Sequence, residues 1–183
     1  MNRLTFVLGG IRSGKSSFAQ DLAGKASRKP GDRVLYVATG QAQDQEMQDR
    51  IARHQADRPE NWDTTEAPIA VAAAVEQAGN RYAAILIDCL SFLITNLVLP
   101  LGDEPDHDEA HHVVSEEMDR LLPTLRLPDS RVIVVSNEVG IGLVAPYHLG
   151  RVFQDVAGRA HQRFAAEADD AYFMIAGLPQ RLK

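Results

Sequence analysis

Residues Gly9-Gly10-Ile11-Arg12-Ser13-Gly14-Lys15-Ser16 fit the spacing G-x-x-x-x-G-K-[ST], the pattern of a loop that wraps a nucleotide's phosphates. Glycines let backbone N–H groups turn inward toward phosphate oxygens, and a helix starting at the loop's end adds its positive dipole. Lys15 reaches the β- and γ-phosphates in such a loop, and the Ser16 hydroxyl ligates the Mg²⁺ that bridges them. A magnesium site of this kind takes a second acid from the end of a neighbouring strand. The run Ala83-Ala84-Ile85-Leu86-Ile87-Asp88 supplies Asp88. A strand-ending Asp that caps the next segment is the alternative.

Other residues carry weaker signals. From Glu46 to Arg58 the chain is polar with helical spacing, and at about 100° per residue Met47, Arg50, Ile51, His54 and Arg58 share a face. Two guanidinium groups on an inward face call for an anion. An imidazole beside them could attack a nucleotide α-phosphate and hold the nucleotidyl group as a phosphoramidate, although a core-edge histidine also satisfies the pattern. Ser136-Asn137-Glu138-Val139-Gly140 follows a strand pattern, where ligands of open α/β sheets bind. Asn137 and Glu138 could orient a substrate hydroxyl or accept its proton, and a glycine loop with a capping Asn reads equally well. Arg151, Asp155 and Arg159 stand four residues apart, as in a helical salt-bridge ladder. His107, His111 and His112 lack the H-E-x-x-H order of a zinc helix and read as a solvated helix start. Cys89 and Trp62 read as packing residues.

The elements that must hold these groups are legible as short apolar runs at Leu4–Leu8, Val34–Ala38, Ala83–Ile87, Val132–Val135 and Ala171–Ile175. Being rich in Val, Ile and Leu, they read as strands covered on both faces. Helical spacing separates them, in Phe18, Ala19, Leu22, Ala23 and Ala26, in 70–78, in 111–125 and in 149–168. Strands alternating with helices make an α/β fold: a mostly parallel sheet with helices on both faces. The acidic stretch 102–108 reads as a surface excursion ahead of a helix. With 183 residues and no repeat or linker, the chain reads as a single domain over 1–183.

Composition narrows the partners. Lys plus Arg number 19 against 25 Asp plus Glu, for a net charge of -6. That leaves no basic field for nucleic acid and points to small molecules. The lone Cys89 fits a reducing compartment, no apolar run nears the roughly 18 residues of a membrane span, and the N-terminus lacks a leader pattern. A cytoplasmic protein is expected.

Together these residues resemble the bifunctional adenosylcobinamide kinase/adenosylcobinamide-phosphate guanylyltransferase family of cobalamin biosynthesis along nearly the whole chain. The resemblance rests on Gly9–Ser16, Tyr36-Val37-Ala38-Thr39, Asp44-Gln45-Glu46-Met47 with Arg50-Ile51 and His54, and Arg58-Pro59 with Trp62 and Glu66. It continues through Asp88-Cys89-Leu90, Thr95-Asn96-Leu97, Ser136–Gly140, Phe153–Arg159 and Gly177-Leu178-Pro179. It implies a RecA-type P-loop domain that assembles as a trimer. It implies two reactions: phosphorylation of adenosylcobinamide by ATP or GTP, then transfer of GMP from GTP onto adenosylcobinamide phosphate through a guanylylated histidine, here His54. It further implies that Gly9 to Ser16, Val37, Ala38, Thr39, Gln55, Ala56, Asp57, Arg58, Glu66 and Asp88 contact GTP. The chain departs from the family pattern at Val144-Ala145-Pro146-Tyr147-His148 and at His161-Gln162. Two other readings are compatible with the P-loop alone: a kinase of another small alcohol without guanylyl transfer, and a non-catalytic GTP-binding module.

Overall fold

The computed structural model describes residues 3–27, 29–41 and 59–183. Its strands are β1 (Arg3–Gly9), β2 (Val34–Ala38), β3 (Trp62–Glu66), β4 (Ala84–Asp88), β5 (Arg131–Asn137), β6 (Asp170–Ile175) and β7 (Leu178–Arg181). The helices among the described residues are α1 (Lys15–Ala26), α2 (Val71–Ala78), α3 (Leu90–Val98), α4 (His107–Thr124) and α5 (His148–Glu167). The strands form one sheet in the order β3-β2-β4-β5-β1-β6-β7. Every neighbouring pair is parallel except β6 with β7.

Period-two alternation sorts the strand side chains onto two buried faces. Leu4, Phe6, Leu35, Val37, Ile85, Ile87, Val132 and Val134 face the layer of α2, α3, α4 and α5. Val7, Val34, Tyr36, Ala84, Leu86, Ile133 and Val135 face Ala19 and Ala23 of α1. Covering both faces is what makes the central strands apolar throughout. Each large aliphatic side chain removed from water contributes about 1.5–3 kcal/mol. The α5 helix docks through Val152, Val156, Ala160 and Phe164, all essentially buried and four residues apart.

The expected strands and helices are present, with shifted ends. Helix α4 begins at His107 rather than His111, because Asp106 caps it by accepting from Asp108 N–H at 2.9 Å and Glu109 N–H at 3.1 Å. Three elements had no sequence expectation. Edge strand β3 reads Trp-Asp-Thr-Thr-Glu and buries no residue fully, so it carries no apolar run. Helix α3 is short and mostly apolar, with Phe92, Thr95, Asn96 and Leu97 half-buried, so few polar residues set it apart from a buried strand run. Strand β7 is exposed along its length. No helix of the described residues is long and apolar enough to cross a membrane.

Candidate functional site

The cradle lies between β1 and α1. Gly14 precedes the helix in the left-handed region, at φ 95°, a conformation glycine reaches without the clash of a Cβ. A Cβ there would lie 3.0 Å from Gly177 Cα, in the β6–β7 turn. That turn backs the loop, since Gly177 N–H donates to the Ser13 carbonyl at 2.9 Å. Gly9 is equally confined, because a Cβ would meet the Met174 carbonyl oxygen at 2.7 Å.

Within the loop, Gly10 and Ser16 are half-buried while Ile11 and Arg12 are exposed. Lys15 is only 7% exposed, and its Nζ donates to the Gly10 carbonyl at 2.5 Å. A cation held at the mouth of a helix N-terminus is a ready anion partner. The Ser13 hydroxyl is buried with no hydrogen-bond partner among the described residues. A buried polar atom of this kind is costly unless something bonds it, and a phosphate oxygen is a chemically suitable acceptor.

Asp88 ends β4, two strands from β1. Its Oδ2 accepts from the Tyr36 hydroxyl at 2.8 Å. Directly across, Thr39 at the end of β2 holds the following backbone: its Oγ1 donates to the Cys89 carbonyl and accepts from Cys89 N–H, each at 2.7 Å. Asn96 on α3 completes the brace by donating to the Thr39 carbonyl at 2.9 Å and the Pro68 carbonyl at 3.0 Å. Val37, Ala38 and Thr39 therefore sit at the β2 end beside Asp88. Glu66 is in register with Ala38 on the next strand. Burial, reinforced by Asp88, pushes the Cys89 thiol up to about 12, so it stays protonated at neutral pH and serves packing.

Strand β5 runs between β4 and β1, so its end separates the acid from the cradle. Val135 pairs with Asp88, and Asn137 pairs with Gly9. Glu138 N–H donates to the Gly9 carbonyl at 2.9 Å. The loop that follows is pinned by Gln154, which donates to the Val139 carbonyl at 2.8 Å and accepts from Ala145 N–H at 3.1 Å. Beside it opens a mostly apolar cavity of about 360 Å³, lined in part by Thr95, Val98, Val139, Tyr147 and Phe153.

The sequence-derived groups Gly9 to Ser16, Val37 to Thr39, Glu66 and Asp88 thus all come to the carboxyl edge of one sheet. His54 and Gln55, Ala56, Asp57 and Arg58, with the whole stretch from Glu46 whose spacing predicts a helix, lie outside the described residues. Half of the expected ladder on α5 forms, Arg159 to Asp155 at 3.1 Å, while Arg151 donates to the Ala145 carbonyl at 3.2 Å. Among the described residues no group of three or more His, Cys, Asp or Glu could hold a metal ion. His107 instead packs edge-on against His148 with ring centroids 5.3 Å apart.

Sequence reading gave no role to Tyr36, Asn96, Ser91 or His161. Their partners are 25 to 57 residues distant in the chain, so no local spacing marks them.

The family model described as cobinamide kinase / cobinamide phosphate guanyltransferase matches residues 5–182, spanning the cradle, Asp88 and the β6–β7 turn. The chain belongs to this family. Relatives of similar sequence cover essentially the same length. The bifunctional adenosylcobalamin biosynthesis protein CobP of Pseudomonas aeruginosa is 41% identical over 97% of this chain and 95% of its own. The CobU proteins of Escherichia coli and Salmonella typhimurium are 34% and 35% identical over 98% of this chain and 99% of theirs. A KaiC-like protein of Pyrococcus horikoshii superposes with a TM-score of 0.48 at 12% identity, over 93% of this chain and 70% of its own. That likeness is too distant to bear on the chemistry.

Proposed function

We propose that the chain phosphorylates adenosylcobinamide with ATP or GTP and then transfers GMP from GTP to the new phosphate, giving adenosylcobinamide-GDP. The family match over residues 5–182 carries this reading. In the first reaction the loop from Gly9 to Ser16 holds the triphosphate, with Lys15 on the β- and γ-phosphates. In the second, the His54 imidazole attacks the GTP α-phosphorus as the bond to pyrophosphate breaks. A phosphate oxygen of the corrinoid then attacks that phosphorus and the P–N bond breaks. Dividing the transfer spares the enzyme from forcing two polyanions together in one step. Val37, Ala38, Thr39, Gln55, Ala56, Asp57, Arg58 and Glu66 are assigned to the nucleotide on the same correspondence.

The donor set suits Mg²⁺: the Ser16 hydroxyl and the Asp88 carboxylate are hard oxygen ligands, and the ion takes few protein ligands when phosphates supply the rest. When bound it neutralises charge on the transferring and departing phosphates. Tyr36 keeps the carboxylate oriented through Oδ2.

Because one sheet carries the cradle and Asp88, residues 1–183 are read as a single catalytic domain, and the cytoplasmic reading rests on the lone Cys89 alone. Assembly as a trimer rests on the resemblance alone; the apolar side chains exposed around the β5 loop, Ile141 75%, Leu143 94% and Val144 75%, are surface that a partner of any kind could cover.

The deciding experiment is intact-protein mass spectrometry of wild type and His54→Ala after incubation with GTP and Mg²⁺. An acid-labile GMP adduct on wild type alone is expected. A wild type that binds GTP without forming an adduct would move the reading to a P-loop kinase of another alcohol.

A further inference from the structure

A buried chain of polar side chains leads from the core to the carboxylate of Glu138. His161 on α5 is 6% exposed, its ring against Phe6 with centroids 5.8 Å apart. Its Nε2 lies 2.8 Å from Ser136 Oγ. Ser136 Oγ lies 3.0 Å from Ser91 Oγ, which in turn accepts from Asn137 N–H at 2.6 Å. On the ring's other side, Nδ1 is 3.8 Å from Glu138 Oε2. The second carboxylate oxygen, Oε1, accepts from Gly140 N–H.

Electrostatics fixes the direction of this chain. A bare Nδ1 lone pair would face a carboxylate oxygen, so the proton belongs on Nδ1. Nε2 then accepts from the Ser136 hydroxyl, Ser136 accepts from Ser91, and Ser91 accepts from the backbone. Each hydroxyl donates once and accepts once, which is how a buried network avoids an unmade bond. Burial lowers the imidazole's affinity for a second proton, with Glu138 partly opposing, so the ring is kept neutral, and at 3.8 Å its Nδ1–H faces Glu138 Oε2 as an electrostatic neighbour rather than through a hydrogen bond. Phe6 of β1 and Ser136 of β5, which also face the ring, bring no charge. Among the described residues Glu138 makes no ion pair with a lysine or arginine.

Glu138 stands between Asp88 and the cradle, with its side chain 17% exposed and its backbone bonded to Gly9. An alcohol attacking a phosphate held by that loop would approach along this edge. We propose that Glu138 is the base for the phosphoryl-transfer half-reaction and that His161 positions it through Nδ1–H. The assignment rests on the functional reading above. The alcohol's O–H bond breaks and its proton passes to Glu138. Its oxygen bonds to the γ-phosphorus, the bond from that phosphorus to the β-phosphate oxygen breaks, and the nucleoside diphosphate leaves with the electron pair. Glu138 then releases the proton to solvent.

The test compares cobinamide phosphorylation by wild type, Glu138→Gln, His161→Asn and His161→Gln, with kcat and KM measured separately and thermal unfolding alongside. Asparagine places its amide nitrogen where Nδ1 lies, and glutamine places its own where Nε2 lies. Positioning through Nδ1 therefore predicts that His161→Asn stays near wild type while His161→Gln loses about tenfold in kcat, with KM for ATP unchanged. Glu138→Gln should lose about 10²-fold in kcat. Activity in His161→Gln but not His161→Asn, equal activity in both, or an unaltered Glu138→Gln would each overturn the assignment. Should both His161 variants unfold, Glu138→Gln still decides it, because that side chain is outside the core and the substitution keeps Oε1. GTP-dependent labelling of the protein should survive in every variant. A wild type that phosphorylates no cobinamide overturns the functional reading itself.

Discussion

The Tyr36 hydroxyl donates to Asp88 Oδ2 at 2.8 Å, joining the side chains of two strands that are parallel neighbours. Tyr36 comes from β2's α1-facing side, where its ring packs with Leu86 and Cys89. The bond orients a carboxylate assigned to Mg²⁺ and costs no ring packing to remove. Tyr36→Phe should therefore keep its unfolding temperature within a few degrees while the Mg²⁺ concentration for half-maximal activity rises about 10- to 100-fold, as for other outer partners of metal ligands. A Mg²⁺ titration of both proteins reads this out, and coincident curves would separate Tyr36 from the metal.

Lys15 is buried at the mouth of α1 and bonded to Gly10. Lys15→Ala should lower the phosphoryl-transfer rate at least 10²-fold, the scale of losing one charged stabiliser of the transition state. Rates near wild type in a folded variant would remove the cradle from the mechanism. Parallel loss of GTP-dependent labelling would indicate that both reactions share one nucleotide site.

Gly14 and Gly24 offer an internal contrast. At Gly14 an added methyl meets a φ of 95° and the Gly177 backbone at 3.0 Å, whereas at Gly24, inside α1, it meets nothing within 4 Å. Gly14→Ala should weaken GTP binding more than tenfold and destabilise the fold by about 1–2 kcal/mol or more. Gly24→Ala should bind GTP normally and stabilise the helix by roughly 0.5–1 kcal/mol. Calorimetric binding and thermal melts of the pair test the close approach of the loop and the β6–β7 turn.

Asp170, 1% exposed, bonds Arg3 at 2.8 Å and Arg181 at 3.0 Å, tying the starts of β1 and β6 to β7. The hydrogen bond from Arg3 holds its carboxyl below the usual range, with desolvation opposing and the charges of Arg3, Arg181 and Arg131 adding. A depressed carboxyl stabilises the fold above its unfolded value of about 3.9 and ceases to do so as pH falls through its folded value. Asp170→Asn should cost about 1 kcal/mol at pH 7, the low end for a charged hydrogen bond because both arginines are half exposed. The gap between variant and wild type should close below about pH 4. Denaturant melts at the two pH values give the comparison, and a gap independent of pH would assign the loss to packing.

The residues of the cradle are contiguous, and their chemistry is local: glycines for the turn, a lysine, a hydroxyl and a helix start. For that reason Gly9 to Ser16, and Asp88 at the foot of an apolar run, stand out as candidates from the sequence itself. The alternation of buried strands and helices likewise gave the α/β class, because covering both faces of a sheet leaves a compositional mark. Edge strands β3 and β7 escaped, having no buried face to mark, and α3 escaped because a short, mostly apolar helix reads like a buried strand run. What only the tertiary structure decided is which distant groups meet. Strand β5 inserts between β4 and β1, and that order sets Glu138 between Asp88 and Gly9. The return of α5 brings His161 to Ser136. Partners such as Tyr36 with Asp88, or Asn96 with Thr39, are joined by hydrogen bonds across 52 and 57 residues. No spacing within the sequence encodes such pairs, because the sheet order and helix packing that join them arise only when the core closes.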